Sequence, residues 1–147
     1  MPPKSVRRCL QKEYDVPIFP SVETILPHRD PAIVVDKILS CENGLIRCVR
    51  TVRVDEHYGP GLSCEGIMEF CAQSAICKET LGLAGSPKVG VIAGIDDFQF
   101  FENSNAGDML IAEIVTRTKF GNLCLFECTV FRGEEKVAHG FIKAALT

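Results

Sequence analysis

The sequence predicts an α+β fold in which an antiparallel sheet wraps around one long, buried helix. Two observations support this: a helical stretch between Ser63 and Gly82 whose middle, residues 66–77, is almost wholly apolar, and a series of strand patterns separated by turn residues. The chain has 147 residues, of which 46% are hydrophobic, so it can bury a sizeable core and disorder is not expected. We expect a single domain over residues 1–147, in which residues 1–20 form a weakly patterned N-terminal arm.

The central helix is predicted from its ends and from its composition. Ser63 suits the N-cap position, because its hydroxyl can accept a backbone N–H of the first turn, and Gly82 suits the position after the last turn. A helix that is apolar nearly all round is buried on most sides. The polar side chains between residues 66 and 77 are Glu69, Gln73 and Ser74.

Glu69 is the candidate functional residue of this helix. Burial of an unpaired carboxylate is costly, and an apolar environment favours the neutral acid over the charged form. Such a carboxyl group is a candidate general acid. The alternative is an exposed or salt-bridged glutamate on a half-open face of the helix.

Strand patterns occupy most of the remaining chain. Asn43-Gly44 indicates a hairpin turn between strands at 32–38 and 45–54, and Arg50 interrupts the apolar face of the second strand, which indicates a bulge or a strand end. The other arginines of this strand predict a solvated sheet face. Because a single sheet around a helix leaves surface uncovered, we expect a dimer. A short helix at 20–26 precedes these strands, and further strands are predicted at 89–95, 98–101, 108–118, 123–132 and 136–146, with the last three forming a meander.

The charge and the cysteine pattern exclude several classes of protein. A formal net charge of −3 and a pI near 5.6 argue against a general nucleic-acid binder. No apolar run follows the charges at the N-terminus and no stretch is long enough to cross a membrane, so neither a signal peptide nor a membrane span is expected. The eight cysteines contain no C-x-x-C pair, which predicts free thiols and a reducing cytoplasm. They are Cys9, Cys41, Cys48, Cys64, Cys71, Cys77, Cys124 and Cys128.

Four motifs in order resemble one enzyme family. The segment 26–38, L-P-H-R-D-P-A-I-V-V-D-K-I, resembles the L-P-H-R-x-P-x-L-L-V-D-R-V opening of the 3-hydroxyacyl-[acyl-carrier-protein] dehydratases of the FabZ/FabA type. The segment 69–73, E-F-C-A-Q, resembles their E-A-M-A-Q, and A-G-I-D at 93–96 followed by G-D at 107–108 resembles two further motifs. The stretch 61–73 is similar, without a gap, to relatives from aryl-polyene gene clusters.

The resemblance implies a hot-dog fold that is obligatorily dimeric. It also implies an active site shared between protomers, in which a histidine and an acid that face each other come from different chains. A 3-hydroxyacyl thioester would lose water to give a trans-2-enoyl thioester in fatty-acid or polyene-type biosynthesis, with no cofactor and no metal.

The chain departs from the family pattern before the helix. FabZ-type enzymes carry G-H-F-P there, with the histidine as catalytic base, whereas this chain has E-H-Y-G-P at 56–60. His57 lies two residues closer to Glu69 than the family spacing, and S-C-E-G replaces the family's M-P-G. If the loop is rearranged locally, His57 is the base. If the alignment runs ungapped from Glu69, Asp55 takes its place.

The roles implied by the resemblance are those of a base, an acid and oxyanion donors. His57 would take the C2 proton and Glu69 would donate to the departing hydroxyl group. The N-terminus of the helix would polarise the thioester carbonyl through its free N–H groups and positive dipole end. These donors are expected at Cys64, Glu65 and Gly66.

Further residues are expected to contact or surround the substrate. Tyr58 would lie at the entrance and Gln73 beside the site, hydrogen-bonded within the buried helix environment. An acyl tunnel between helix and sheet would be lined by side chains such as Ile67, Met68, Phe70 and Phe98. His28 and His139 are interpreted as structural.

The expected partner is an acyl carrier protein or a coenzyme A thioester, with a second hot-dog subunit as a further possibility. Docking of an acidic carrier would need a basic patch, for which the candidates are Lys4, Arg7, Arg8, Arg117 and Lys119. Two other functions stay open at this point. One is a hot-dog thioesterase in which Glu69 acts as base or nucleophile, and the other is a non-catalytic subunit that completes a partner's site.

Overall fold

The fold was analysed in a computed structural model that describes residues 19–27, 32–56, 61–81 and 90–146. Several residues singled out above lie outside these ranges, so the predictions that depend on them stay predictions. They are Lys4, Arg7, Arg8, Cys9, His28, His57, Tyr58 and Gly82.

The described chain forms one antiparallel sheet with one long helix. The strand order is β1-β2-β4-β5-β6-β3, and every neighbouring pair is antiparallel. This is the predicted α+β architecture. Its elements are α1 (Val22–Ile25), β1 (Lys37–Glu42), β2 (Leu45–Thr51), α2 (Cys64–Leu81), β3 (Gly90–Phe100), β4 (Met109–Phe120), β5 (Leu123–Arg132) and β6 (Glu135–Leu146).

Helix α2 begins and is buried as predicted. The Gly66 N–H donates to Ser63 Oγ at 3.0 Å, which makes Ser63 the N-cap residue. Phe70, Cys71 and Cys77 are fully buried, because one side of α2 packs against β2, β4 and β5. Fixing the helix to the sheet in this way holds its first half in one position relative to the rest of the domain.

The first hairpin confirms the predicted turn but corrects the strand boundaries. Asn43 and Gly44 have φ values of 54° and 75°, the left-handed conformation that a tight hairpin turn requires. Strand β1 begins at Lys37, not at residue 32, because the backbone of 32–34 pairs with a helix side chain instead of a strand. Strand β2 ends at Thr51, so the expectation of a strand to residue 54 is wrong.

Strand β3 is a single strand where two were predicted. Its pairing with β6 is interrupted between Asp96 and Gln99, and Asp97 has a φ of 49°. This irregularity turns the ring of Phe98 over Gly140 of β6, where an added Cβ would lie 2.4 Å from Phe98 Cδ2. Because Gly140 has no side chain, the Phe98 ring can occupy this space. The predicted meander of the last three strands is confirmed as β4-β5-β6.

Candidate functional site

Glu69 lies in the first half of α2 and is half-buried. At 1.5 Å per residue, it is about 7.5 Å along the helix axis from Cys64, the first helical residue. One turn further along, Gln73 Nε2 donates to Glu69 Oε1 at 3.0 Å. This bond holds one carboxylate oxygen and thereby restricts the direction in which the acid points.

Gln73 is itself held by the chain segment that precedes β1. Its side chain is fully buried, its Oε1 accepts the Val34 N–H at 2.8 Å, and its Nε2 donates to the Ala32 carbonyl at 2.9 Å. A backbone donor on one side and a backbone acceptor on the other leave only one orientation for the amide. Gln73 thus has the hydrogen-bonding environment predicted for it, and it orients Glu69.

The first turn of α2 contains the three residues predicted to face a thioester oxygen. Cys64 and Glu65 are exposed and Gly66 is half-buried. The Gly66 amide is already engaged, since it donates to Ser63 Oγ. Cys64 and Glu65 lie closer than Gly66 to the positive end of the helix dipole.

The residues that directly precede α2 are hydrogen-bonded to the loop between β3 and β4. Leu62 N–H donates to Ser104 Oγ at 2.8 Å, and Ser104 is 5% exposed. Gly61 has a φ of +80°, and a Cβ there would lie 1.9 Å from the Ser104 carbonyl oxygen, so only glycine fits. No sequence pattern singled out Ser104, because its partner is 42 residues away along the chain.

Arg50 makes a second contact of this kind, with Glu56, which directly precedes residues 57–60. Its guanidinium is buried, with Nη2 2.6 Å and 2.9 Å from the two oxygens of Glu56 and Nη1 3.4 Å from Asp36 Oδ1. Strand β2 keeps its register with β4 through Arg50, so the possible bulge is absent and the strand ends one residue later. Arg50 is buried, as its place on the apolar face of the pattern implies, while Arg53 is exposed and Arg47 is partly exposed on the other face.

The other predicted site residues lie in different environments. Phe70 is fully buried in the core between helix and sheet, and Phe98 is half-buried on the helix-facing side of β3. Asp55, the alternative base, is exposed in the turn before residue 57. The structure thus brings together Glu69 and Gln73 one turn apart on α2. Of the two candidate bases, Asp55 is described and His57 lies outside the described residues.

His139 and the two described residues of the predicted basic patch each contact a carboxylate group. His139 Nε2 lies 2.8 Å from Glu127 Oε2, in keeping with its interpretation as a satisfied strand residue. Arg117 also pairs with Glu127, and Lys119 Nζ lies 2.5 Å from Glu79 Oε2. Two of the five candidate carrier-docking cations are therefore partly neutralised by carboxylates.

The environment of Glu79 predicts that the stability of the domain falls in acid. Burial opposes its ionisation, but hydrogen bonds from Lys119 and Thr116 outweigh burial and hold the pKa of its carboxyl below the ordinary value of 4.5. A carboxyl group whose pKa is lower in the folded state than in the unfolded state stabilises the fold at pH values above its unfolded-state pKa. This stabilisation is lost as the pH falls through its folded-state pKa. We expect Lys119→Met to flatten the fall in unfolding free energy between about pH 5 and about pH 3, measured by urea denaturation.

The matched control for that measurement is Lys143→Met. Lys143 pairs with Asp96 at 3.2 Å, but both side chains are about half exposed, so solvent screens the pair. The control is expected to keep the wild-type acid dependence. Parallel pH curves for wild type and Lys119→Met would contradict the assignment to Glu79.

Three general features of the described ranges are relevant to the class of protein. They contain no cluster of three or more His, Cys, Asp or Glu side chains placed to hold a metal ion. None of their helices is long and apolar enough to cross a bilayer. Seven cysteines are described, all as free thiols, and Cys64 is the exposed one among them.

A six-stranded antiparallel sheet around one central helix, with a carboxyl group presented from the first half of that helix, defines a hot-dog protein. The fold is shared with a chain of the dehydratase heterocomplex ApeI:P from Xenorhabdus doucetiae, with a TM-score of 0.77. That similarity covers 88% of this chain and 93% of the other at 16% sequence identity.

Sequence comparisons then identify the family. The sequence profile of the ApeP-like family, described as ApeP dehydratase, matches residues 20–146. A 3-hydroxyacyl-[acyl-carrier-protein] dehydratase FabZ from the Wolbachia of Brugia malayi is 32% identical over 83% of this chain and 91% of its own length. The FabZ of Rhizorhabdus wittichii is 29% identical over 85% and 86%. The chain belongs to the ApeP-like family of FabZ-type hot-dog dehydratases.

Proposed function

We propose that this protein removes water from a 3-hydroxyacyl thioester to give a trans-2-enoyl thioester, with Glu69 as the acid. The observation that carries the proposal is the pair formed by Glu69 and Gln73: a half-buried carboxyl group on the central helix, one oxygen of which is held by a fully buried amide. The relatives named FabZ act on 3-hydroxyacyl-[acyl-carrier-protein] substrates, which favours the same reaction here.

The proposed reaction needs two proton transfers and one oxyanion site. His57, which precedes the helix, takes the proton from C2, and the resulting enolate oxygen accepts N–H groups from the first turn of α2. Glu69, as the neutral acid, gives its proton to the 3-hydroxyl group, so that the C3–O bond breaks and water leaves. Asp55 is the base if His57 is not, because it occupies the family's position in an ungapped alignment.

The acyl chain is proposed to lie on the helix-facing side of the sheet. Phe98 supports this, because its ring lies over Gly140 of β6 and packs against the edge of the core. Tyr58 is proposed at the entrance. Phe70 is fully buried, so it would form the floor of such a site and not its opening.

The proposed partners are an acyl carrier protein or a coenzyme A thioester, in the cytoplasm, which the free thiols favour. A second hot-dog subunit is a further proposed partner, because the structural relative from Xenorhabdus doucetiae belongs to a dehydratase heterocomplex. We also propose that residues 1–147 form one domain and that residues 1–20 form an arm; the family profile begins at residue 20.

A homodimer is proposed through β3. This strand is at the edge of the described sheet, with β6 as its one neighbour, and it has eleven residues. Several apolar side chains on it are exposed, and a long apolar edge is a template for pairing with another strand. They are Val91 at 62%, Ile92 at 39%, Ile95 at 40% and Phe100 at 37%.

We expect the protein to sediment as a dimer and the Val91→Glu/Ile95→Glu variant to sediment as a monomer, because two charges per protomer would face each other across the joined edges. Analytical ultracentrifugation measures this directly. Met109→Glu is the control, since Met109 is 58% exposed and belongs to β4, which β5 and β6 separate from β3. A wild-type monomer, or an equal effect of the control, would contradict pairing through β3.

Intact-mass analysis of a 3-hydroxyacyl carrier protein tests the reaction itself. Loss of one water with the wild-type chain supports dehydration, and release of the free acid would make the protein a thioesterase. Activity only after a second hot-dog protein is added would favour the non-catalytic subunit. In the same assay, loss of activity in His57→Ala but not in Asp55→Asn assigns the base to His57, and the reverse result assigns it to Asp55.

A further inference from the structure

We propose that Asp108 and Arg132 are positioning residues of the dehydratase, which set the place of the first turn of α2 through the loop between β3 and β4. This inference rests on the proposed function, in which that turn supplies N–H groups to the enolate oxygen. Asp108 belongs to the G-D segment at 107–108 that resembles a family motif, and the proposed reaction gives it no direct part.

The ion pair of Arg132 and Asp108 holds the backbone on both sides of Ser104. Arg132 is the last residue of β5, and its Nη1 donates to Asp108 Oδ2 at 3.1 Å and to the Asn103 carbonyl at 2.9 Å. Asp108 Oδ2 also accepts the Asn105 N–H at 2.8 Å. That carbonyl and that N–H belong to the two peptide groups that flank Ser104, so one ion pair binds both of them.

The same loop is attached to the sheet at a second point, directly after the end of β2. The Val52 N–H donates to the Asp108 carbonyl, and the Gly107 N–H donates to the Val52 carbonyl, both at 2.8 Å. The loop is therefore held by β5 through side chains and by the end of β2 through the backbone.

Ser104 connects this loop to α2. Its Oγ accepts the Leu62 N–H at 2.8 Å, and its carbonyl lies where a Cβ of Gly61 would begin. The Leu62 side chain in turn packs on the first turn of the helix, since a Cβ at Gly66 would lie 2.7 Å from Leu62 Cδ1. The contacts thus lead from β5 through the loop to the turn at which α2 begins.

The placement of this turn has a chemical consequence in the proposed reaction. The Ile67 N–H donates to the Ser63 carbonyl at 2.9 Å, and the amides that precede Ile67 belong to the first turn, whose N–H groups have no partner within an α-helix. Donors to an enolate oxygen act at hydrogen-bond distance, so a displacement of about 1 Å lowers the rate strongly. Stability is a weaker explanation, because the side chains of Arg132 and Asp108 are each about a quarter exposed and solvent screens their attraction.

The test compares Asp108→Asn with Glu135→Gln. Glu135 is the matched control, because it is largely exposed and its Oε2 accepts from Nη2 of the same Arg132 at 2.6 Å. We expect Asp108→Asn to lower kcat by about tenfold or more with KM changed less than about twofold, since a misplaced donor mainly raises the barrier. Its melting temperature should fall by less than about 5 °C. Glu135→Gln should keep wild-type values, and Arg132→Met should repeat the loss seen in Asp108→Asn.

A double variant tests whether Asp108 acts through Ser104. Ser104→Ala removes the acceptor of the Leu62 N–H and should also lower kcat by about tenfold or more. If both residues act through this one link, Asp108→Asn/Ser104→Ala should lose no more in kcat than Ser104→Ala alone. Multiplied losses in the double variant would overturn the proposal.

Hydrogen exchange of the Leu62 amide, followed by NMR, is a readout independent of activity. We expect it to be about tenfold faster or more in Asp108→Asn and in Ser104→Ala, with the Ala112 amide of β4 unchanged. Unchanged Leu62 exchange, wild-type kcat in Asp108→Asn, or an equal loss of kcat in Glu135→Gln would each overturn the proposal. If the wild-type chain dehydrates no 3-hydroxyacyl thioester, the proposed function fails and the catalytic purpose of the pair with it. The exchange data still decide whether Asp108 and Arg132 act on the start of α2.

Discussion

The Glu69→Gln variant is expected to fold normally and to lose two to four orders of magnitude in kcat, the range typical of a missing general acid. Glutamine has the same size, and its carbonyl oxygen can accept the hydrogen bond that Gln73 Nε2 donates at 3.0 Å. The local geometry is therefore kept while the proton is lost. The measurement is the initial rate of enoyl thioester formation, together with the melting temperature.

The control for this prediction is Glu134→Gln. Glu134 is an exposed residue in the turn between β5 and β6, so its neutralisation should leave kcat and melting temperature unchanged. A Glu69→Gln enzyme with more than a tenth of wild-type kcat would remove Glu69 from the role of acid. The search would then turn to the other carboxyl groups that flank the helix entrance.

The Gln73→Leu variant is expected to lose stability and activity together. Leucine is similar in volume, but the buried Val34 N–H would lose its acceptor and Glu69 would lose the donor that orients it. An unsatisfied buried donor costs about 2 kcal/mol in unfolding free energy, which urea denaturation should show. We also expect kcat to fall by about tenfold or more, because a freely rotating acid spends less time in the reactive orientation.

Ser74→Ala is the matched control for Gln73→Leu. Ser74 is the next residue of α2 and is also fully buried, but its hydroxyl donates to Phe70 O of the same helix at 2.7 Å. Removing a bond of this local kind should cost less than about 1 kcal/mol, because the helix hydrogen bonds remain. Equal destabilisation by the two substitutions would mean that the buried amide of Gln73 contributes no more than ordinary packing.

Local patterns in the sequence were enough for the regular elements and for part of the site. Ser63 and the apolar run after it predict α2, and Asn43-Gly44 predicts the first hairpin, because caps and tight turns depend on neighbouring residues. Glu69 and Gln73 were recognisable as polar side chains in an apolar helix. Their spacing of four residues places them on one face of the helix, where the structure shows them in contact.

The predicted strand boundaries that were wrong are those that depend on residues far away in the sequence. Residues 32–36 have the composition of a strand, but the backbone of Ala32 and Val34 bonds to the side chain of Gln73, about 40 residues further along the chain. Strand β3 continues through Asp97 because β6 pairs with it on both sides of the irregularity. In the sequence, Arg50 was visible only as a polar residue that interrupts an apolar pattern. That interruption does not indicate which carboxylates Arg50 contacts.

The sequence by itself determined the fold class, the buried central helix with its carboxyl group, and the family. These follow from short-range periodicity and from motifs that are contiguous in the chain. Only the tertiary structure decided which partners the buried polar groups contact: Gln73 contacts the segment before β1, Arg50 contacts Glu56, and Ser104 contacts Leu62. The physical reason is that a buried polar group must find a partner in space, and its partner can lie anywhere along the chain.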